Sequence, residues 1–547
     1  MASMPDAIVL VGLSASGKSS VGRLVAEALG RPFIDVDAQI AARAGCSPGR
    51  IIERDGEARF REIEAVEVTR AAAVAGAVIA TGGGAVIDPL SRWALWDAGT
   101  VVWLDAPDGR LAARLRHADV RRPMVAGDPL AALARLRVAR EPFYAAADMR
   151  IESAGTARTV AVTIADAVSG RRPVARRLFD ARARRDHAMG PRDARIVYGR
   201  DLDAGTLEPL VATLSTGAPV VVADERAAEA LPGLMAAFPG ERPLRITAGE
   251  RGKRMSAVER LLEAAAGMRA ERSDAWIAIG GGTTGDLVGT AAALYLRGVP
   301  LIQVPTTWLA LSDSAIGGKV AVDLAAAKNA AGAFWPPVAV IGDVAALRTL
   351  PRELLLDGLA EVLKSAIIGD PWLWSLLETR GEDALGPADG TPADEAARYA
   401  MVERAMSLKL GVVDRDPFET GERRTLNLGH TLGHALEIES GYHLPHGQAV
   451  VLGLRAVTAI AEGRGAEPGL GERIDSLLHR LGYRLTRSFD RAAVRDALGS
   501  DKKRLRGRQR WILPMAIGSV IDVDDVTEPE LDLALDRITP FGRGDRA

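Results

Sequence analysis

The chain has very little cysteine, no excess of charge of either sign, and no long uninterrupted apolar run. Its single cysteine, Cys46, cannot form an internal disulfide, and the first six residues carry no positive charge that would begin a secretion signal. The uncharged stretch 71–87 is interrupted by the glycines at 82–84, which makes it poor material for a membrane span. We therefore expect a cytoplasmic protein that does not bind a membrane.

Charge is balanced over the whole chain, since 69 lysines and arginines face 71 aspartates and glutamates. The chain therefore has no overall electrostatic attraction for nucleic acid or for a membrane surface. Arginine is locally dense from residue 171 to residue 195, where strand patterns disappear, and we interpret this stretch as a linker or an exposed helix. A nucleic-acid-binding patch is the functional alternative, but the stretch lacks the regularly interleaved aromatic residues of such a patch.

The length of 547 residues predicts several domains rather than one hydrophobic core. β-like apolar runs alternate with amphipathic helices up to about residue 170, beginning with a strand at 7–11 and a helix at 18–29, which favours a parallel sheet with helices on both faces. Strand patterns return at 219–223, 276–279 and 301–304, and helical patterns dominate from residue 351. We predict an α/β protein with a first domain at 1–170, a linker at 171–194, an α/β subdomain at 195–345 and an α-helical subdomain at 346–547.

A complete phosphate-binding loop follows the first predicted strand. Gly12 and Gly17 allow backbone N–H groups to face phosphate oxygens, Lys18 adds a positive charge, and the Ser19 hydroxyl can bind Mg²⁺ at a helix N-terminus. Two carboxylates, Asp35 and Asp37, are predicted on one face at the end of the next strand, where one can meet the metal and the other an acceptor hydroxyl. An Asp-x-Asp pair is also frequently a helix cap. The first domain is predicted to bind a nucleoside triphosphate.

Further motifs make residues 5–165 resemble the shikimate kinases, which have the fold of nucleoside monophosphate kinases. The motifs are Gly56-Glu57-Ala58-Arg59-Phe60-Arg61, Thr81-Gly82-Gly83-Gly84, Val120-Arg121-Arg122-Pro123 and Arg140-Glu141-Pro142-Phe143-Tyr144. The resemblance implies ATP-dependent phosphorylation of shikimate, with ATP bound by Gly12, Ser14, Ala15, Ser16, Gly17, Lys18, Ser19, Ser20 and Arg122. It assigns shikimate to Asp37, Arg61, Gly82, Gly83, Gly84 and Arg140, Mg²⁺ to Ser19 and Asp35, and catalysis to Lys18, Asp37 and Arg122. Arg121 is the alternative to Arg122 in a lid over ATP.

The second part of the chain contains a glycine-rich turn, Gly280-Gly281-Gly282-Thr283-Thr284-Gly285-Asp286, after a predicted strand. A dinucleotide-binding turn of this form usually has an acidic residue about 20 positions later, and the segment from Leu287 to Ser312 contains none. The motif alone therefore leaves two readings open, a turn for a pyrophosphate and a purely structural turn. The segments that follow are rich in lysine, arginine, hydroxyl groups and glycine, which suits an anionic, hydroxylated ligand.

Four of the 7 histidines fall between His430 and His446, which favours a metal site. His430 and His434 are four residues apart and could chelate a metal from one helical face, while Glu361 and Lys364 offer a carboxylate and an amine one helical turn apart. Surface or core histidines and a helical ion pair are the structural alternatives. Two imidazoles and one carboxylate on Zn²⁺ would leave positions open for substrate oxygens.

Residues from about 195 to 540 resemble the 3-dehydroquinate synthases, which cyclise a seven-carbon keto-acid phosphate with NAD⁺ and a divalent metal. The resemblance implies Glu361, His430 and His446 as ligands of Zn²⁺ or Co²⁺, with His434 on the substrate side and Lys319, Lys364 and His434 as catalytic residues. It places NAD⁺ on Asp224, Glu250, Lys253, Gly280, Gly281, Gly282, Asp286, Thr306, Thr307, Asp313, Lys319 and Lys328. It places substrate on Arg297, Asp313, Lys319, Asn329, Lys364, Lys409, Arg423, Asn427, His434 and either Lys502 or Lys503. A second subunit lends the equivalent of Arg297 in this family, which implies a homodimer.

Together the two resemblances predict one chain with two activities of the shikimate route. A different sugar-phosphate cyclase, of the deoxy-inosose or valiolone type, is the rival for the second part, although Arg297, Asn329 and Arg423 favour a substrate that bears a carboxylate. A ligand-sensing module is the rival for the first part, but Lys18, Asp35 and Arg122 are retained.

Overall fold

The computed structural model describes residues 6–116, 127–168, 175–185, 192–215, 217–238, 243–247, 249–325, 327–386, 392–500 and 509–540. Contact clustering divides the chain into two compact units, one of residues 1–183 with 195–206 and one of residues 184–194 with 207–547. No helix among the described residues is both long enough and apolar enough to cross a bilayer. Four residues that the sequence assigns to the sites lie outside the described residues: Arg121, Arg122, Lys502 and Lys503.

A five-stranded parallel sheet with the order β2-β3-β1-β4-β5 forms the centre of the first unit. Its strands are β1 (Ala7–Val11), β2 (Phe33–Asp35), β3 (Val78–Ala80), β4 (Gly99–Asp105) and β5 (Met149–Glu152). Its helices are α1 (Lys18–Leu29), α2 (Val36–Ala44), α3 (Pro48–Ala72), α4 (Pro89–Ala98), α5 (Asp108–Arg116), α6 (Pro129–Tyr144) and α7 (Ala157–Ala167). The predicted strand at 7–11 and helix at 18–29 are confirmed. Because β1, β2 and β3 are parallel neighbours, the loops after them meet at one edge of the sheet.

Two strands, β6 (Arg176–Arg185) and β7 (Arg192–Arg200), lie where the sequence predicts a linker or an exposed helix. Arg176 is only 1% exposed and pairs with Asp148 at 3.1 Å. Asp180 is also buried and pairs with Arg177 at 3.1 Å and with Arg195 at 2.8 Å. The arginines hide a period-two strand pattern in the sequence. These three guanidinium groups bind carboxylates of the protein instead of forming a free basic patch.

A parallel sheet with the order β14-β11-β10-β8-β9 organises the first half of the second unit. Its strands are β8 (Val220–Asp224), β9 (Leu244–Ile246), β10 (Trp276–Gly280), β11 (Leu301–Pro305) and β14 (Ala339–Asp343), and an antiparallel pair is formed by β12 (Lys319–Leu324) and β13 (Ala327–Phe334). The helices here are α8 (Ala204–Ala212), α9 (Glu225–Ala230), α10 (Pro232–Ala236), α11 (Met255–Gly267) and α12 (Gly282–Leu294). The three strands predicted from residue 219 to residue 304 are thus confirmed.

The rest of the second unit is mostly helical, as predicted. Its helices are α13 (Arg352–Gly369), α14 (Pro371–Leu385), α15 (Glu395–Arg415), α16 (His430–Glu439), α17 (His446–Gly463), α18 (Leu470–Leu481), α19 (Arg491–Ser500) and α20 (Glu528–Ile538), with the strand pair β15 (Trp511–Ala516) and β16 (Ser519–Val523). Helices α16 and α17 pack closely where Gly453 of α17 meets Gly429, the residue before α16. A Cβ on Gly453 would clash with the Gly429 carbonyl, so only glycine allows this approach. In this packing the ring centroids of His430 and His446 lie 5.3 Å apart.

Candidate active sites

The phosphate-binding loop between β1 and α1 lines a cavity of about 710 Å³ in the first unit. Gly12 has a φ of 140°, and a Cβ there would clash with the Leu104 carbonyl, so glycine is required. The buried ammonium of Lys18 donates to the carbonyls of Gly12 at 2.8 Å and Leu13 at 2.9 Å. The loop therefore holds its lysine at the wall of the cavity, beside the N-terminus of α1, which favours anions.

Asp35 and Asp37 both line this cavity, but they do not lie on one face of a strand as predicted. Strand β2 ends at Asp35, and Asp37 belongs to the first turn of α2. The Asp35 carboxylate accepts the backbone N–H of Ala38 at 3.1 Å, so it caps α2. The alternative of a helix cap is thus correct for Asp35, and the cap leaves its carboxylate in the cavity wall with Ser19.

The residues predicted to bind shikimate line the same cavity. Arg61 and Arg140 line it together with Gly82, Gly83 and Gly84. A side chain on Gly84 would clash with the Arg61 guanidinium, and the hydroxyl of buried Tyr144 donates to the Gly83 carbonyl. The buried Nε of Arg140 has no hydrogen-bond partner among the described residues. Two guanidinium groups close to three glycines suit a small carboxylate ligand.

Three residues of this cavity were missed in the sequence. Glu64 accepts from Arg61, and burial raises the pKa of its carboxyl although Arg61 opposes this. Its position three residues after Arg61 on one helical face could have revealed it. Arg114 donates to the Ala15 carbonyl at 3.1 Å, and the Ser153 hydroxyl donates to the Ser16 carbonyl at 2.7 Å. No motif marks Arg114 or Ser153, because they reach the loop from distant elements.

The glycine-rich turn opens a second cavity, of about 1260 Å³, in the second unit. Gly281 caps α12, and Asp286 in that helix pairs with Lys253 at 2.5 Å. Lys253 also donates to the side-chain oxygen of Asn329 at 2.6 Å. Asp224, Thr306 and Thr307 line the same cavity at the ends of β8 and β11. The turn is therefore part of a polar cleft rather than an isolated structural turn.

Glu361, His430 and His446 form a compact donor set, in which the two histidines line this cleft and Glu361 is buried next to it. The Nε2 atoms of His430 and His446 each lie 3.2 Å from the same oxygen of Glu361. Ligand atoms of the three residues all lie within 4.8 Å of one another. The Nδ1 of His430 donates to the Leu428 carbonyl at 3.1 Å, which leaves the Nε2 lone pair facing Glu361. Two imidazoles and a carboxylate in this arrangement fit a Zn²⁺ or Co²⁺ ion.

The electrostatics of the set also suit a cation. Burial alone would raise the pKa of Glu361, but the Lys364 ammonium and the two imidazoles hold it well below its usual range. Burial and Lys364 lower the pKa of His430 to about 4, so its imidazole is neutral at pH 7, as a metal ligand must be. Burial opposes protonation of His446, but the carboxylates of Glu361 and Glu437 raise its pKa to about 10. Positive charge is therefore favoured between these two carboxylates.

The residues predicted to bind the synthase substrate fall into two groups, one that lines the cavity and one that is buried next to it. Asp313, Lys319, Lys328, Asn329, Asn427 and His434 line the cavity. Lys364, Lys409 and Arg423 are buried next to it: Lys364 pairs with Glu361, Lys409 pairs with Asp313 at 2.8 Å, and Arg423 donates to the Gly317 carbonyl at 3.0 Å. Asp313 belongs to a π-helical segment, a conformation that is common at functional sites.

Arg297 and Glu250 stand apart from this arrangement. Arg297 is exposed in a turn in which Leu296 and Arg297 both have positive φ, and it is not among the described residues that line the cavity of its own chain. Glu250 begins a short 3₁₀ segment before Lys253, and its side chain is not described. The role predicted for each stays a prediction.

Glu419 and Glu437 contact predicted site residues but were missed in the sequence. Glu419 pairs with Lys319 and accepts from the Asn427 amide at 2.7 Å. It lies in a loop with a φ of 59°, where no periodic signal marks it. Glu437 lies on α16 three residues after His434 and contacts His446 at 3.1 Å. Helical spacing from His430 and His434 could have revealed Glu437.

Comparison with known proteins gives matches to both parts of the chain. Residues 14–169 match the shikimate kinase family, residues 243–357 the N-terminal part of the 3-dehydroquinate synthase family, and residues 358–504 its C-terminal part. A 3-dehydroquinate synthase of Xanthomonas campestris is 40% identical over 352 residues, which are 62% of this chain and 90% of that protein. A 2-epi-valiolone synthase of Actinosynnema mirum is 36% identical over 64% of this chain and 94% of its own. The structure of a 2-epi-5-epi-valiolone synthase from Streptomyces hygroscopicus, with NAD⁺ and Zn²⁺ bound, has a TM-score of 0.59 and 27% identity and covers 65% of this chain and 99% of its own.

Proposed function

This chain belongs to the 3-dehydroquinate synthase family and carries a shikimate kinase domain at residues 14–169, and we propose that the two cavities described above are its two active sites. It is a bifunctional enzyme of the shikimate pathway. One activity phosphorylates shikimate with ATP to shikimate 3-phosphate. The other cyclises 3-deoxy-D-arabino-heptulosonate 7-phosphate to 3-dehydroquinate with release of phosphate.

In the kinase cavity, the backbone of the phosphate-binding loop and Lys18 hold the phosphates of ATP, and Ser19 and Asp35 hold Mg²⁺. Asp37 orients or deprotonates the attacking hydroxyl, while Arg61 and Arg140 pair with the shikimate carboxylate. The observation that carries this assignment is that both arginines and Asp37 line the same cavity as the phosphate-binding loop. Catalysis is then mainly positioning and stabilisation of charge on the transferred phosphoryl group.

In the synthase cavity, Glu361, His430 and His446 hold the divalent ion, and the turn at 281–286 with Lys253 holds the dinucleotide. When bound, NAD⁺ supplies the transient oxidation and later reduction of one hydroxyl, and Zn²⁺ or Co²⁺ polarises that oxygen. Lys319, Lys364 and Lys409 offset the negative charge of the phosphate and carboxylate. His434 and Asn427 line the cavity beside the metal set; His434 can transfer a proton to or from the substrate, and Asn427 can form a hydrogen bond with it. The single observation behind this assignment is that the two histidines of the donor set line the same cavity as the glycine-rich turn.

A cyclase of the valiolone type is the second candidate for this cavity, because a 2-epi-valiolone synthase is 36% identical to the chain. Arg423 and Asn329 favour a substrate that bears a carboxylate, which supports the first candidate. The two functions differ in whether the substrate carries that carboxylate.

Two parallel assays on the purified full chain test the proposal. We expect ATP-dependent phosphorylation of shikimate, and phosphate release from 3-deoxy-D-arabino-heptulosonate 7-phosphate that requires NAD⁺ and a divalent metal. A seven-carbon ketose phosphate without the carboxylate is the matched control and should release phosphate at least about 100-fold more slowly, since unpaired cationic groups would remain in the site. Turnover of that control alone would make the second part a valiolone-type cyclase. Absence of shikimate phosphorylation would make the first part a sensing module.

We further propose that the enzyme is a cytoplasmic homodimer in which Arg297 completes the synthase site of the partner subunit. A chain of 547 residues with one cysteine suits a reducing compartment. The exposed Arg297 is preceded by Leu294 and Leu296, which are 52% and 46% exposed. Exposed leucines beside a backbone held at positive φ are consistent with a contact surface between subunits.

Mixed oligomers test this role of Arg297. Arg297→Ala and His430→Ala chains are each expected to lack cyclisation, but refolding them together should restore part of it. One site of a mixed dimer then combines an intact His430 with an intact Arg297 from the other chain. Shikimate phosphorylation measures the amount of folded protein in each sample. If Arg297 acts within its own chain, the mixture will be as inactive as the two separate variants.

A further inference from the structure

Glu437 is a buried carboxylate in the wall of the second cavity for which the proposed reaction has no role. Its Oε1 lies 3.1 Å from Nδ1 of His446, on the opposite side of the ring from Glu361, which lies 3.2 Å from Nε2. His446 therefore has one carboxylate at each ring nitrogen. This arrangement matters because a neutral imidazole carries one proton and can present only one lone pair.

We propose that Glu437 is a positioning residue that accepts the Nδ1 proton of His446 and so fixes the tautomer whose Nε2 lone pair faces the metal. This inference rests on the metal site proposed above. When a cation lies between Nε2 and Glu361, the opposite tautomer would point Nε2–H at that cation and leave the Nδ1 lone pair facing the Glu437 oxygen, and both contacts are repulsive. His430 has the same arrangement, because its Nδ1 donates to the Leu428 carbonyl. Both imidazoles thus present Nε2 to one point beside Glu361.

A competing role for Glu437 is that of a metal ligand. His434, Glu437 and His446 also place ligand atoms within 4.8 Å of one another. Such a set would need the Nδ1 of His446, whereas the set with Glu361 needs Nε2. The equal distances of 3.2 Å from both Nε2 atoms to one Glu361 oxygen favour the Nε2 set. Glu437 also lies 4.0 Å from the Lys328 ammonium, whose positive charge attracts the carboxylate.

Zinc binding by the purified full chain tests this role without relying on turnover. The apo form of each variant is titrated with Zn²⁺ in competition with a chromogenic chelator, and the visible spectrum of its Co²⁺ form reports the ligand geometry. Glu437→Leu removes the acceptor and should raise the Kd for Zn²⁺ by roughly 10–100-fold, as loss of an outer partner of a ligating histidine does. Glu437→Gln keeps an oxygen that can accept from Nδ1, so its Kd should lie between those of Glu437→Leu and the wild type, and its Co²⁺ spectrum should match the wild type.

Glu439→Gln is the matched control, since Glu439 lies on the same helix and pairs with Arg487 at 2.7 Å instead. Its Kd should equal that of the wild type. An unchanged Kd in Glu437→Leu would overturn the positioning role. Two zinc ions per wild-type chain that fall to one in Glu437→Leu would make Glu437 a ligand of a second site. A wild-type chain that binds no zinc at any pH from 6 to 8 would instead refute the metal site itself.

Discussion

Replacing Lys18 by methionine is expected to reduce shikimate phosphorylation by about a thousandfold, equivalent to about 4 kcal/mol of transition-state stabilisation. Lys18 supplies the positive charge of the phosphate-binding loop and lines the kinase cavity. Its Nζ donates hydrogen bonds to the carbonyls of Gly12 and Leu13. Methionine retains much of the aliphatic length but cannot approach a phosphate as a charge. Steady-state rates at saturating ATP and shikimate measure the loss.

The same Lys18→Met chain should release phosphate from 3-deoxy-D-arabino-heptulosonate 7-phosphate at the wild-type rate, because the synthase residues lie in a separate cavity. Arg23→Met is the control for charge removal on the same helix, since Arg23 is exposed and contacts the Phe33 ring. It should retain full kinase activity. A parallel loss of both activities in Lys18→Met, with an unchanged thermal melting curve, would refute two independent sites.

The alternation of apolar runs and helical patterns predicts most of the fold because each apolar run is long enough to form one buried strand. The prediction fails where charged residues hide the apolar pattern of a strand. Residues 176–185 form a strand whose inward positions include Arg176 and Asp180, and only the tertiary partners Asp148 and Arg195 make those positions compatible with burial. Asp37 is a smaller failure, since the cap made by Asp35 begins a helix at Val36, inside the predicted strand.

The sites were predictable where chemistry is tied to a motif and unpredictable where it depends on tertiary contact. The phosphate-binding loop and the histidines are recognisable from their spacing in the sequence, whereas Glu419 reaches Lys319 from a loop 100 residues away.

Lysine content offers a further signal, because only eight of the 69 basic residues are lysines. The six described ones either line one of the two cavities or pair with Glu361 or Asp313. Arginine serves most surface ion pairs, so lysine remains where a compact ammonium is needed.

Substitution of His430 by alanine should abolish zinc binding and lower cyclisation by at least about a thousandfold, while shikimate phosphorylation is unchanged. The substitution removes one of the two Nε2 donors that face Glu361 and leaves that carboxylate paired with Lys364. Because burial and Lys364 lower the pKa of His430 to about 4, the wild-type imidazole stays neutral down to about pH 5. Zinc affinity of the wild type should therefore not fall through protonation of His430 between pH 8 and pH 6.

His443→Ala is the matched control, since His443 belongs to the same group of four histidines but is exposed. It should bind zinc and cyclise as the wild type does, because position in the sequence cluster is not what makes a ligand. What distinguishes His430 and His446 is that each begins a helix whose packing fixes the direction of its ring, with Gly429 and Gly453 allowing the two helices to approach. If His443→Ala loses zinc while His430→Ala keeps it, the donor set around Glu361 is wrong and the metal lies elsewhere among the histidines.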